Sequence, residues 1–331
     1  MANLIPLDSH DPGDQARGVW ADDNFVYLGN KAGGLHTYSV TLKGQLTHLD
    51  SDVQAGDAGA IVGDGTFIYV AHGTGGVRSY EVDGAGAITY KNVADPGTVF
   101  GVWTDGNFVY AAANTGGIYV YEVDVNGAFT QKDFKDTSHQ AVNVWGDGTF
   151  LYVSDYDGGV NAFTVDSFGI LTVKDETPTG WQTYNVHGDG SFLYSAEYTH
   201  GVTSSTVGVN GALTEVDFDT NAGAQTWDVQ VQNGYLYSAN NADGLGLHSV
   251  DGAGNITFIE STDPGDNAIS LFVKDQLIFL ANNAGGLHVY SHGIIIPETD
   301  RVLLDIAIGT SGKGINLQQN GTGNSIKIMI T

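Results

Sequence analysis

Phe100-Gly-Val-Trp-Thr-Asp-Gly-Asn-Phe-Val-Tyr-Ala-Ala-Ala-Asn-Thr-Gly-Gly-Ile-Tyr-Val-Tyr-Glu-Val-Asp-Val-Asn-Gly-Ala-Phe-Thr-Gln-Lys132 reads as four short strands joined by three turns. Phe100–Trp103 is the first strand, Phe108–Ala112 the second, Gly117–Val123 the third and Ala128–Lys132 the fourth. Asp105-Gly106 is a hairpin signal, a glycine pair at Gly116-Gly117 separates the second and third runs, and Asn126-Gly127 precedes the last. Four strands joined this tightly form an antiparallel meander.

The same unit recurs along most of the chain. The aromatic residue in its second strand is Tyr27, Tyr69, Tyr110, Tyr152, Tyr194, Tyr237 and Phe279, at intervals of 42, 41, 42, 42, 43 and 42 residues. A steady period of about 40–45 residues, with four strands per unit, predicts a β-propeller. Seven marks predict seven blades.

The ends of the array support a closed ring. The seventh unit has three strands (Ile269–Phe272, Leu277–Leu280 and Gly286–Tyr290) and then the pattern stops. Its missing fourth strand is at the N-terminus, where Leu4-Ile-Pro-Leu-Asp-Ser-His-Asp-Pro-Gly-Asp14 parallels Ile256-Thr-Phe-Ile-Glu-Ser-Thr-Asp-Pro-Gly-Asp266. Pairing the first strand with the last blade leaves fewer open edges. The aliphatic column Val19, Ile61, Val102, Val144, Val186, Val229, Leu271 is expected to pack between blades. The small column one residue earlier, beginning Gly18, Ala60, Gly101, fits crowded inner strands. Trp20, Trp103 and Trp145 share a column and are read as inter-blade stacking residues.

Composition narrows the class of partner. Of 331 residues, 12 are basic and 38 acidic, giving a net charge of −26. That field repels phosphate backbones and argues against nucleic acid. No run approaches the ~20 apolar residues a membrane span needs. There is no cysteine, hence no disulfide framework and no thiol chemistry. The N-terminal residues lack a basic and then apolar leader pattern, so a virion or cytoplasmic location is the expectation. No cofactor and no metal are expected.

From Gly293 the sequence changes character. The last 39 residues hold no aromatic, and Glu298, Asp300 and Asp305 balance Arg301, Lys313 and Lys327. Residues 301–308, 315–319 and 325–331 read as three strands, whose alternation puts Val302, Leu304, Ile306, Ile308, Ile315, Leu317, Ile326, Ile328 and Ile330 on one face. About 40 residues seldom supply their own core, so this face needs a cover. The propeller's own flank is one candidate. Copies of the module, or a larger assembly, are the other and the expected one. The domains are therefore 1–292, a propeller, and 293–331, an attachment or oligomerisation module.

In a propeller the loops between blades and those between second and third strands share one rim, where blade-to-blade variation usually carries function. The binding set expected there is Asp14, Lys31, Asp57, Asp155, Asp157, Trp181, His200, Asn241 and Asp243. A general acid–base site could draw on His72, His139 and Glu197, with Arg17 neutralising an oxyanion. The plain alternative is that these are turn formers on a solvated surface. Asp155-Tyr-Asp157 lacks the spacing of a calcium loop.

The run Phe108–Thr130 resembles the repeat of the lactonase-like seven-bladed propellers, the 6-phosphogluconolactonase and muconate-cycloisomerase type, as do Asp83-Gly-Ala-Gly-Ala-Ile-Thr89 and Asp251-Gly-Ala-Gly-Asn-Ile-Thr257. The likeness covers about residues 3–292 and leaves the tail out. It implies the scaffold and, through the enzymatic members, a lactone hydrolase at the channel mouth; many propellers of this build only bind. The tail looks more like the anchoring ends of viral surface proteins. The expected function is recognition of a protein or glycan by the rim of a propeller displayed on an assembly, with lactonase-type hydrolysis as the alternative.

Overall fold

The structure, a computed structural model, describes residues 4–177, 181–220, 225–293, 315–319 and 326–330. They fall into two compact units, Met1–Gly293 and Ile294–Thr331.

The first unit is all-β. Blade 1 contains β2 (Gly18–Ala21), β3 (Val26–Gly29), β4 (Leu35–Val40) and β5 (Leu46–Asp52), hydrogen-bonded in chain order as an antiparallel sheet. Blades 2 to 6 repeat this order as β6–β9 (61–94), β10–β13 (101–135), β14–β17 (143–177), β18–β21 (183–219) and β22–β25 (228–262). Blade 7 is β26 (Ser270–Lys274), β27 (Leu277–Ala281) and β28 (Leu287–His292), completed by β1 (Leu4–His10) in the order β1-β28-β27-β26. The N-terminal strand thus closes the ring, pairing Leu4 with His292 and His10 with Leu287. Fourth strands run longer than the sequence suggests: β13 spans Phe129–Lys135, because its partner β12 (Ile118–Val123) is paired through a bulge rather than residue for residue. No helix long and apolar enough to cross a membrane occurs among the described residues.

Packing follows the columns read from sequence. Val19, Val102, Val144, Val186, Val229 and Leu271 are buried, each in a cluster that joins neighbouring blades or the strands of one blade edge. The small inner column has a direct steric cause. A Cβ placed on Gly18 would lie 2.2 Å from the carbonyl oxygen of Gly59 in the next blade. The tryptophans do stack between blades: Trp20 reaches Phe272 of blade 7 at 6.0 Å between centroids, and Trp103 covers Gly146 of blade 4.

The aromatic beat also acquires a reason. In blade 1 the Asp22 carboxylate accepts the backbone N–H groups of Asn24 and Phe25 at 2.7 Å, and its second oxygen accepts the Tyr27 hydroxyl at 2.6 Å. The same arrangement joins Asp64 to Tyr69, Asp105 to Tyr110, Asp147 to Tyr152 and Asp189 to Tyr194. Burial and the facing carboxylate push these phenols well above their ordinary range. Blades 6 and 7 turn on Asn233-Gly234 and Asp275-Gln276 without this contact, which leaves Tyr237 to bond His292 and allows phenylalanine at position 279.

Part of the acidity is structural as well. Asp8, Asp50, Asp133 and Asp217, on the outer strands, each accept a backbone N–H from the outer strand of the next blade at 2.8–2.9 Å. Leu4 N–H is held likewise by Glu260.

In the second unit, β29 (Ile315–Gln319) and β30 (Ile326–Ile330) form an antiparallel hairpin pairing Ile315 with Ile330. The strand expected over 301–308, with Val302, Leu304 and Ile306, lies outside the described residues.

Candidate functional site: the loop rim

The turns between second and third strands and the loops between blades meet at one end of the ring. Single bridges knit six of the seven turns to the following inter-blade loop: Lys31 to Ala58, Gly73 to Val99, Asn114 to Ala141, Tyr156 to Thr183, Asn241 to Ala268, and Asn283 back to Ala16. The turn residue of each bridge adopts a positive φ, from 39° at Tyr156 and Asn283 to 53° at Gly73. Asparagine and glycine tolerate that conformation; a tyrosine pays roughly 1–2 kcal/mol for it.

The residue before this position is buried in every blade: Asn30, His72, Ala113, Asp155, Glu197, Asn240 and Asn282. Three of the expected site residues fall in this column, and the structure moves them from the exposed rim to its interior. His72 is fully buried, its Nε2 meets the Tyr80 hydroxyl at 2.7 Å, and burial with the Arg78 guanidinium pushes its pKa down to about 3. It stays neutral. Glu197 accepts the hydroxyls of Thr183 and Ser195 at 2.8 Å, and burial raises its pKa. Asp155 accepts Thr137 Oγ1 at 2.6 Å and Asn161 Nδ2 at 3.2 Å; burial again raises its pKa against those bonds. The physical reason is common to all three: each buried side chain meets a hydroxyl, Tyr80 for His72, Thr183 and Ser195 for Glu197, and Thr137 for Asp155.

The other expected residues lie on the turns and loops themselves. Arg17 and Lys31 both donate to Gln15 Oε1, at 2.8 and 3.2 Å. Asp14, Asp57 and Asp243 are exposed, Asp157 accepts Gln182 Nε2 at 2.9 Å, and half-buried Asn241 bonds Gln225. His139 is half-exposed, with Nδ1 3.6 Å from the buried Asp155 carboxylate. Among the described residues no hydrogen bond or ion pair joins any two of Arg17, His72, His139 and Glu197, which belong to different blades. No group of three or more His, Asp or Glu side chains there could hold a metal ion.

One sector of the rim departs from the rest. Tyr184 opens the first strand of blade 5, where blades 1 to 4 have Arg17, Gly59, Phe100 and Val142. Its ring packs against Trp227 of blade 6 at 4.4 Å, Tyr156 of blade 4 at 5.3 Å and Tyr198 of its own blade at 5.5 Å. On the same two loops, Trp181 stacks on His200 at 4.1 Å and 8°, and His200 on Phe218 at 4.1 Å. Trp181 and Phe218 remain 39% and 45% exposed. His200 occupies a column that is glycine in most other blades, where a Cβ at Gly158 would meet the Asp155 carboxylate at 2.5 Å. Sequence reasoning placed Trp181 and His200 on the rim but missed Tyr156, Tyr184, Tyr198, Trp227 and Phe218. Tyr156 and Tyr198 stand out in a turn column that is otherwise lysine, glycine or asparagine, whereas Phe218 shares its column with Phe134 of blade 3 and Tyr184 shares its own with Phe100.

No protein-family model matches the sequence, and no curated protein matches it. Solved structures do. A chain of the mitotic checkpoint complex superposes with a TM-score of 0.71 at 16% identity, covering 88% of this chain and 93% of that one. A catalytically inactive virginiamycin B lyase from Staphylococcus aureus, with quinupristin, gives 0.69 at 11% identity over 88% and 99%. The WD40 β-propeller domain of Doa1 gives 0.66 at 10% identity over 88% and 97%. Likeness at these identities is one of fold, and with the seven sheets it defines the first unit as a seven-bladed β-propeller.

Proposed function

We propose that this chain is a recognition propeller that binds a ligand on the rim sector of blades 4 to 6. The observation that carries the reading is the cluster of aromatic rings there, in which Tyr156 and Tyr198 hold a turn position filled by lysine, glycine or asparagine in the other blades. Large rings that are partly exposed offer much contact area at small entropic cost, which is why they dominate binding surfaces. Display on an assembly, such as a virion surface, through residues 293–331 completes the proposal; the apolar alternation of that segment supports it.

The test is a peptide and glycan array probed with the full chain and with Tyr198→Asn. Binding lost in the variant at unchanged melting temperature supports the reading. Binding retained in the variant overturns it. Light scattering on the full chain and on a chain ending at His292 tests the tail: equal protomer numbers would remove the display role.

A second reading is favoured by one contact. His139 is half-exposed and faces a buried carboxylate, so Asp155 could hold Nδ1–H while Nε2 takes a proton from water attacking a lactone carbonyl. Turnover of a sugar lactone that is abolished in His139→Ala would put this hydrolase reading first. His72→Ala and Glu197→Ala would not serve as specific probes, because both side chains are buried and hydrogen-bonded within their own blades.

A further inference from the structure

The aromatic sector lies in a part of the chain with an unusual charge pattern. From Asp175 to Val273 there is no Lys or Arg at all, against 13 Asp and Glu. Trp181, Tyr184, Tyr198, His200, Phe218 and Trp227 all fall inside this stretch. Elsewhere the propeller neutralises some of its acids with lysine, as in Lys91–Glu81, Lys132–Glu122 and Lys274–Asp23. Here it does not. Asp157 and Asp243 are exposed on the adjoining turns, and Glu215 lies close enough to influence both Glu197 and His200.

Exposed ring faces beside the exposed Asp157, Glu215 and Asp243 carboxylates select for an organic cation: the ring quadrupole attracts it, the carboxylates add long-range steering, and an anion is rejected by both. The geometry also favours a flat cation. Trp181 stacks on His200 at 8° and His200 on Phe218 at 29°, with Trp181 and Phe218 partly exposed, and a planar guanidinium extends such a pile better than a tetrahedral ammonium. Resting on the recognition reading above, we infer that the partner is a polypeptide segment that presents arginine side chains to the rings of blades 4 to 6.

The experiment uses the full chain and isothermal titration with a short alternating Arg–Gly peptide, its citrulline–Gly counterpart and a neutral oligosaccharide. Citrulline keeps the planar shape and removes the charge. The expected result is binding of the arginine peptide about ten-fold tighter than the citrulline peptide, weakened by salt and weakened about five-fold or more in Trp181→Ala and in Tyr198→Ala. Trp181→Ala should keep the wild-type melting temperature to within about 2 °C, since surface substitutions rarely shift stability further. Equal binding of the two peptides, or binding of the oligosaccharide alone, with loss in the variants, overturns the cationic inference and leaves the rim reading standing. Arginine-peptide binding that is equal in wild type and both variants overturns both. No binding of any probe overturns the inference.

Discussion

At one end of the ring, five of seven blades carry the same device, a turn aspartate holding two backbone N–H groups and the tyrosine hydroxyl five residues on. At the other end, equivalent turn positions read Lys31, Gly73, Asn114, Tyr156, Tyr198, Asn241 and Asn283. The first end is uniform because its job is the same in every blade: it terminates a hairpin and satisfies a buried hydroxyl. The second varies although its backbone task, a positive φ bridged to the next loop, is the same in every blade but the fifth, at Tyr198. Where a constant backbone task is met by residues poorly suited to it, such as Tyr156, the side chain has another use.

Three changes probe the uniform side of this comparison. The largest effect should come from the ring closure. Removing residues 1–10 strips β28 of its outer partner and takes Leu7 from the cluster it packs against. The melting temperature should fall by on the order of 10 °C, checked by calorimetry; an unchanged melt would mean that β1 does not hold the ring shut.

The next effect is a pH-dependent gain. Asp228 is buried on an inner strand and accepts the Leu271 N–H at 2.9 Å, and burial raises its pKa to about 7. Its folded pKa exceeds the ordinary carboxylate value, so the folded state binds the extra proton between about pH 4 and 7. Stability from this group is therefore greatest in acid and declines as pH rises through about 7. Asp228→Asn, which blades 4 and 5 already use as Asn143 and Asn185, should raise the melting temperature by on the order of 5 °C at pH 8.5 and change little at pH 4. A gain of the same size at both pH values would contradict the assignment.

The smallest is the loss of a single repeated contact. Tyr110→Phe removes the 2.8 Å bond to Asp105 and should lower stability by about 1 kcal/mol, measured in urea, whereas Phe279→Tyr in blade 7, which has no such aspartate, should gain nothing comparable.

The sequence carried the fold because the propeller's periodicity is imposed by local chemistry. Turn pairs, the alternating aliphatic column and the parallel between Leu4–Asp14 and 256–266 were all visible without coordinates. The site was less legible. His72, Asp155 and Glu197 read as rim residues because they adjoin turns, yet each is buried against partners, among them Tyr80, Asn161 and Thr183, that lie on another strand and meet it only when the blade folds. Tyr184 and Trp227 are far apart in sequence and become partners only when blades 5 and 6 pack.

The central claim is that blades 4 to 6 depart from the repeat for binding and not for stability. It is tested most directly by restoring the repeat residues, Tyr156→Asn, Tyr198→Asn and His200→Gly together, and comparing melts with the wild type. Relief of the positive φ at Tyr156 should leave the melting temperature equal or raise it by about 1–3 °C, while arginine-peptide binding disappears. A melt lowered by several degrees would show that the rings are core to the fold, and would contradict the account.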